Sequence, residues 1–496
     1  MTTEAVFLTS VIEAQERRKV MTVDIPGAFM HVDIDELIHV RLEGPMAELL
    51  TRVDPAKYRT YMCDEHGKQV LYVELQKALY GTLQAAILFW ENLTAFLTEE
   101  LGFTVNPYDS CVVNKLINGK QCTIIWHVDD LKLSHVDQNV LEGVVKKLNA
   151  KYGQEDPLVV HRGKVHEYLG MTIDYSEDGK VKFMMTDYVK GILDEAPDDM
   201  NGFAVTPAAS NLFTVRDDAG KLDDAQSDEY HRLTAKLLYL CKRARPDLQP
   251  TVAFLTTRVT QPDNDDWKKL TRAIRYLRDS RDLYLTLEAD DGIDIKWWID
   301  ASFAVHPDMR SHTGGTLSLG KGSVYSMSRK QRINTKSSTE AELVGVDDGM
   351  PLVVWTRNFI TAQGYNIKDN VVYQDNQSTM LLAKNGRASS GRRTRHIDIR
   401  YFFVTDRVKR GELRIEYCPT GDMVADFFTK PLQGSLFRKL RGIILNIPNR
   451  SSGADASTSQ ECVGKSASYA DVVRGTHRND SDVADVVRQP LVNGRM

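Results

Sequence analysis

The stretch CTIIWHVDDLKLS, Cys122 to Ser134, decides how the chain is read. An apolar run, two adjacent acids and a second apolar run predict strand, turn and strand. Two carboxylates at a hairpin between buried strands face desolvation and mutual repulsion, which a fold tolerates mainly where a cation offsets both. The Asp-Asp pairs at 198, 217, 223, 265, 290 and 347 lie in contexts that read as loops or solvated helix faces. Working outward, Asp24 in MTVDIPGAF ends another apolar strand. Asp24, Asp129 and Asp130 together have the makings of a site for two Mg²⁺ ions about 3.5–4 Å apart, the arrangement that moves phosphoryl groups in line. On spacing alone, acids that merely cap turns remain the commoner explanation, by roughly two to one. Around them, residues 1–175 alternate short strands (VLYVEL, TIIWHV) with one long helical stretch from Leu79 to Leu101.

A second set of acids lies further along. Asp300 sits in the strand-like WWIDASF, and Asp375 ends the strand of VVYQDNQST. Ser337-x-x-Glu340 fits a capping box, which puts Glu340 in a first helical turn. Asp426 falls in GDMVADFFTKPL, consistent with a short helix. Singly, each reads as a surface acid or a cap; the four in this order weigh more. Three strands, a helix, a strand and more helices predict a compact α/β domain over 291–448. The intervening 176–290 is more helical and more basic, with 12 Lys/Arg against 5 Asp/Glu between Arg232 and Arg281.

Composition sets the limits. At 496 residues, two to four domains are expected. The net charge of −5 excludes a chain coated in basic charge, but not basic clefts within an acidic whole. A hydrophobic fraction of 42% with 26% charged residues describes a soluble globular protein. No apolar run approaches the ~20 residues that span a bilayer, so no membrane partner is expected. Glu4 interrupts the N-terminal apolar run, which argues against a secretory signal. Six scattered cysteines without a C-x-x-C pair point away from disulfide or zinc scaffolds and towards a reducing compartment. From about Asn449 the composition turns Ser-, Asp-, Ala- and Arg-rich, and 449–496 reads as a disordered tail in which ADVVR occurs twice.

Several segments together resemble the reverse transcriptase–RNase H portion of copia-type LTR retrotransposon polyproteins. DIPGAF, ALYGTLQA, HVDDL and EYLGMTI resemble the polymerase motifs; DASF, SSTEAEL, QDNQS, RHIDIRYFF and ADFFTKPL resemble the ribonuclease blocks, in the family's order. The resemblance covers roughly residues 20 to 445 and implies α/β and α+β architecture in several domains. These are a reverse transcriptase palm over 1–175 (a ferredoxin-like sheet with helices), a helical thumb/connection over 176–290 and an RNase H-like α/β domain over 291–448.

The resemblance assigns Asp24, Asp129 and Asp130 to the metal ions of the polymerase. Phe29 matches the gate against a ribose 2′-OH, with ordinary core packing as the other reading. Gln84 matches the polar residue beside the incoming nucleotide, or else is a solvent-facing helix glutamine. Gly170 matches the segment that grips the primer. Asp300, Glu340, Asp375 and Asp426 match the four acids of RNase H. His396 either assists proton transfer or product release, or is a satisfied structural histidine. Arg329, Lys330 and Arg332, and the cluster of Arg392, Arg393 and Arg395, are candidates for phosphate contact; a solvated basic face is the bland reading. The implied cofactors are Mg²⁺ (Mn²⁺ as alternative), two ions per centre. The implied partners are RNA template, DNA primer, RNA–DNA hybrid and dNTPs, and the implied setting is intracellular, in a cytoplasmic virus-like particle or the nucleus.

Three features depart from the pattern. His127 stands where the family has Tyr, and Ala86 where it often has Pro. Only 23 residues precede Asp24, where the family places a fingers subdomain. The expectation is a truncated element with impaired polymerization and an intact nuclease. The alternatives are a catalytically inactive nucleic-acid-binding remnant and an interaction protein working through the tail.

Overall fold

The computed structural model describes residues 1–34, 36–82, 84–385 and 398–447. His396, Arg392, Arg393, Arg395 and the expected tail lie outside the described residues. Among those described, the strands fall into four sheets.

The first sheet runs in the order 104–106, 109–117, 120–127, 130–135, 19–24, 159–163, and its neighbours are antiparallel. The hairpin expected at Asp129-Asp130 is present: Lys120–His127 pairs with Asp130–His135 through the two-residue turn Val128-Asp129. Both strands are buried almost throughout, which is why they read as near-continuous apolar runs. One face packs Met21, Val23, Ile124, Trp126 and Leu133 against Phe89 and Leu93 of helix Ala85–Ala95 and Val144 and Leu148 of helix Gln138–Tyr152. Asp137 caps the latter helix by accepting from the Asn139 N–H. On the other face Lys132 meets Glu13 of helix Thr3–Gln15, both side chains fully enclosed.

The helical stretch expected from Leu79 starts later, at Ala85. Gly81, at φ +98°, holds a conformation that breaks a helix, so Leu79–Thr82 forms a turn that carries Tyr80. The strand expected at VLYVEL is present as Lys68–Glu74, and it pairs with His39–Glu43 and Cys63–Glu65 in a small sheet whose other two strands the sequence concealed.

A further antiparallel sheet joins Val165–Tyr168, Met171–Asp174, Lys180–Met184, Leu285–Ala289 and Gly320–Lys321. The boundaries expected at 175 and 290 therefore run through one hydrogen-bonded sheet rather than between separate bodies. Helices Asp224–Cys241, Gln249–Thr256 and Asn264–Asp279 lie between its strands in sequence.

The last sheet has the order Tyr325–Lys330, His312–Ser318, Ile295–Ser302, Asn370–Gln374, Arg414–Tyr417; its first two pairings are antiparallel and its last two parallel. Helix Ser338–Ala362 lies across it, and Ser337 caps that helix as expected. Gly314 pairs with Asp300, and a Cβ there would lie 2.8 Å from the Phe428 backbone and 2.6 Å from the Thr429 methyl. The missing side chain is what lets the short helix Asp426–Thr429 settle on the sheet beside Asp300. No helix among the described residues is long and apolar enough to cross a membrane.

Candidate active sites

At the first hairpin, Asp24 and Asp130 are directly opposed across the strands, and the Ile25 N–H donates to the Asp129 carbonyl at 3.2 Å. Val128 sits in the turn at φ +58°, a left-handed conformation unfavourable for a β-branched residue. Partial burial and the nearby Asp129 charge raise the Asp24 pKa; burial and the charges of Asp129 and Asp24 do the same to Asp130. Tyr80 donates its hydroxyl to Asp129 Oδ2 at 2.7 Å. That hydrogen bond, then burial and the surrounding acids, push its own pKa up to about 12.

The neighbouring residues fit the site unevenly. Phe29 is buried, with its ring 4.3 Å from that of Tyr80 and 6.3 Å from that of Phe89. Gln84 stands at the start of helix Ala85–Ala95, partly buried rather than solvent-facing, and donates to Glu36 at 2.5 Å. Its own Oε1 is buried without a partner among the described residues. Gly170 closes the tight turn between Val165–Tyr168 and Met171–Asp174 at φ +74°, and what approaches it closely is Tyr239, which donates to the Leu169 carbonyl.

The second centre is tighter. Asp300, Glu342 and Asp375 bring carboxylate oxygens within 4.8 Å of one another, the one such group among the described residues. Asp24, Asp129 and Asp130 are not drawn that close. Asp426 joins Asp300: burial and the Asp300 charge push its pKa up to about 7. Burial, Asp300 and Asp375 raise Glu342 far above the ordinary carboxylate range, and burial and Asp300 raise Asp375. Lys430, one turn after Asp426, lies 2.5 Å from Asp426 Oδ1 and 3.8 Å from Asp300 Oδ2. Thr429 donates to Asp300 at 2.5 Å, and Thr420 to Asp375 at 3.0 Å. Gln374 donates to Glu342 at 3.3 Å while accepting from the backbone N–H groups of Asp375 and Asn376.

The glutamate of this group is a correction. Glu340 was expected among the acids, but its carboxylate folds back to accept from the Lys336 N–H at 2.7 Å. The capping geometry that placed Glu340 in the first turn is what removes it from the cluster. Glu342 stands two residues on, about 200° around the helix, and faces the sheet. The sequence signal was available in SSTEAEL: the helical phase that turns Glu340 to the cap turns Glu342 inward. Lys430, Thr429, Gln374 and Tyr80 were also missed.

The expected phosphate contacts before the helix are partly engaged already. Arg329 donates to the Asp348 carbonyl, and Lys330 pairs with Asp308 at 2.6 Å. Arg332 is exposed. Arg329 opposes Thr313, which opposes Ala301, so it stands two strands from the acids, about 10 Å across the sheet.

Asp300, Glu342, Asp375 and Asp426, gathered from a strand, a helix, a strand end and a late helix, form a hard-oxygen donor set of the kind that suits Mg²⁺ or Mn²⁺. Residues 1–209 match the family described as reverse transcriptase (RNA-dependent DNA polymerase). Among curated relatives, the Retrovirus-related Pol polyprotein from transposon TNT 1-94 of Nicotiana tabacum is 24% identical over 436 residues, covering 86% of this chain and 31% of that one. The corresponding polyprotein from transposon RE2 of Arabidopsis thaliana is 28% identical over 367 residues, covering 73% of this chain and 24% of its own. A crystal structure of prototype foamy virus protease-reverse transcriptase aligns at 15% identity and a TM-score of 0.21, over 84% of this chain and 45% of that one. Over most of its length this chain is thus similar to the Pol polyproteins of these transposons, the likeness that its motifs implied. It spans 31% and 24% of the length of the two plant polyproteins.

Proposed function

We propose that the chain works as an RNA-directed DNA polymerase with an accompanying ribonuclease H. The first sheet and its two helices act as the palm, 176–290 as thumb and connection, and 291–448 as the nuclease domain. The observation that carries the nuclease reading is the convergence of Asp300, Glu342 and Asp375, joined by Asp426, from four separate elements. Two divalent ions bound at each centre would supply Lewis-acid stabilisation of the charge that develops in phosphoryl transfer.

In the nuclease, Asp300, Glu342 and Asp375 offer oxygens to the ions. Asp426, with a pKa of about 7, is able to hold or release a proton at neutral pH. Thr429 and Gln374 fix the orientations of Asp300 and Glu342. In the polymerase, Asp24, Asp129 and Asp130 would hold the ions, and Phe29 would exclude the ribose 2′-OH. Tyr80 bonds one oxygen of Asp129 and leaves the other open to an ion. The substrates are then dNTPs, an RNA template with a DNA primer, and an RNA–DNA hybrid, handled inside the cell.

The test is incubation of the purified chain with Mg²⁺ and a hybrid labelled on its RNA, beside an Asp375→Asn variant. Cleavage that disappears in the variant supports the reading. Hybrid binding without cleavage by the unaltered chain favours the second reading, an inactive nucleic-acid-binding remnant.

A further inference from the structure

Helix Asn264–Asp279 carries Lys268, Arg272 and Arg275 at spacings that share one face. That face lines a cleft of about 490 Å³ whose other wall comes from residues between 203 and 216. The cleft is lined by five cationic side chains and one carboxylate, in a chain whose net charge is −5. The carboxylate, Asp265, is taken up by Arg216 at 2.6 Å and Lys268 at 3.3 Å. Arg272 donates to the Thr206 hydroxyl and Arg275 to the Asp199 carbonyl, both neutral acceptors that leave the positive charge uncompensated. The Nε–H groups of both arginines are buried and have no acceptor among the described residues. Buried donors without acceptors carry a desolvation penalty that an anionic oxygen entering the cleft would relieve. At its mouth stands the ring of Phe203, 73% exposed.

Position adds direction. A second cleft, of about 480 Å³, adjoins the carboxylate cluster at Ser302, Thr429 and Lys430. The two clefts share Thr214, and residues 208–216 alternate between them, so this segment is a ridge with one cleft on each side. Along the helix, Lys268 to Arg275 spans about 10 Å, enough to meet one or two successive backbone phosphates.

We propose that the Lys268–Arg272–Arg275 face binds the sugar–phosphate backbone of an RNA–DNA hybrid engaged at the carboxylate cluster, with Phe203 offering a stacking surface at the rim. This rests on the nuclease reading for the hybrid's position. Phosphate contacts of this kind position a duplex without reading its sequence, and each adds to the salt dependence of binding.

The test is fluorescence anisotropy of a labelled hybrid with the full chain in EDTA, over a salt series. The Arg272→Ala/Arg275→Ala double variant is expected to bind at least tenfold more weakly at moderate salt, with the log–log salt slope reduced by about 2. Because those arginines also bond Thr206 and Asp199, Lys268→Glu with Phe203→Ala, both at exposed side chains, is the folding-safe comparison and is expected to weaken binding several-fold. Unchanged affinity and slope in both variants would overturn the proposal, as would failure of the unaltered chain to bind hybrid. Failure of the nuclease reading looks different: the unaltered chain would bind, the variants would bind less, and Mg²⁺ would produce no cleavage.

Discussion

Lys430 Nζ lies 2.5 Å from Asp426 Oδ1, one helical turn away, and 3.8 Å from Asp300 Oδ2, so a single ammonium stands against two carboxylates of the buried cluster. It offsets part of the repulsion that burial amplifies there. Lys430→Met is expected to lower the stability of the EDTA-treated chain at pH 8 by about 1 kcal/mol, a modest figure because the lysine is partly exposed. Denaturant midpoints with and without Mg²⁺ check this, and the deficit should shrink when Mg²⁺ is present.

The same repulsion gives a pH dependence. An unfolded aspartate titrates near 3.9, whereas Asp426 is pushed up to about 7 by burial and Asp300. Between those values the folded chain retains a proton that the unfolded chain has released, so this group's contribution to stability falls as pH rises from about 4 to about 7. Asp426→Asn removes that titration. Melting temperatures in EDTA should therefore show the variant gaining on the unaltered chain across that window and keeping a constant lead above it.

Beneath the Asp129-Asp130 hairpin, the enclosed Lys132 ammonium lies 2.5 Å from Glu13, which also accepts from the Tyr175 hydroxyl at 2.6 Å. Lys132→Met strands a buried carboxylate and should destabilise the chain by about 3–5 kcal/mol. Lys132→Met combined with Glu13→Gln should recover most of that loss. A double-mutant cycle in urea measures the coupling.

Gly170 holds φ +74° with the Tyr239 hydroxyl where a Cβ would project. Gly170→Ala should cost about 1 kcal/mol or more through the left-handed backbone alone. A thermal melt without nucleic acid isolates this structural share from any role at the primer.

Much of this was legible where burial and charge conflict in the sequence. Asp24 and Asp129-Asp130 interrupt apolar runs, and the strands do pair so that Asp24 opposes Asp130. Asp300, Asp375 and Asp426 fall at the strand, strand end and short helix that their neighbours predicted. Glu342 was hidden because two glutamates share one helical turn, and only the cap at Ser337 fixes which of them faces the sheet. The sheet joining 165–184 to 285–289 and 320–321 was hidden because its central pairing, Lys180–Met184 with Leu285–Ala289, joins residues more than a hundred positions apart. Tyr80 was read as helical because nothing nearby marks its turn except Gly81, and its bond to Asp129 exists only in the tertiary fold.

The central claim is that one particular glutamate belongs to the nuclease centre, and the comparison of Glu342→Gln with Glu340→Gln tests it most directly. Each purified chain is given Mg²⁺ and a hybrid labelled on its RNA, with binding measured in parallel. The account predicts that Glu342→Gln binds hybrid but loses cleavage by at least a hundredfold, while Glu340→Gln, whose amide oxygen can still accept from the Lys336 N–H, cleaves within a few-fold of the unaltered chain. Cleavage that survives in Glu342→Gln and disappears in a folded Glu340→Gln would contradict it.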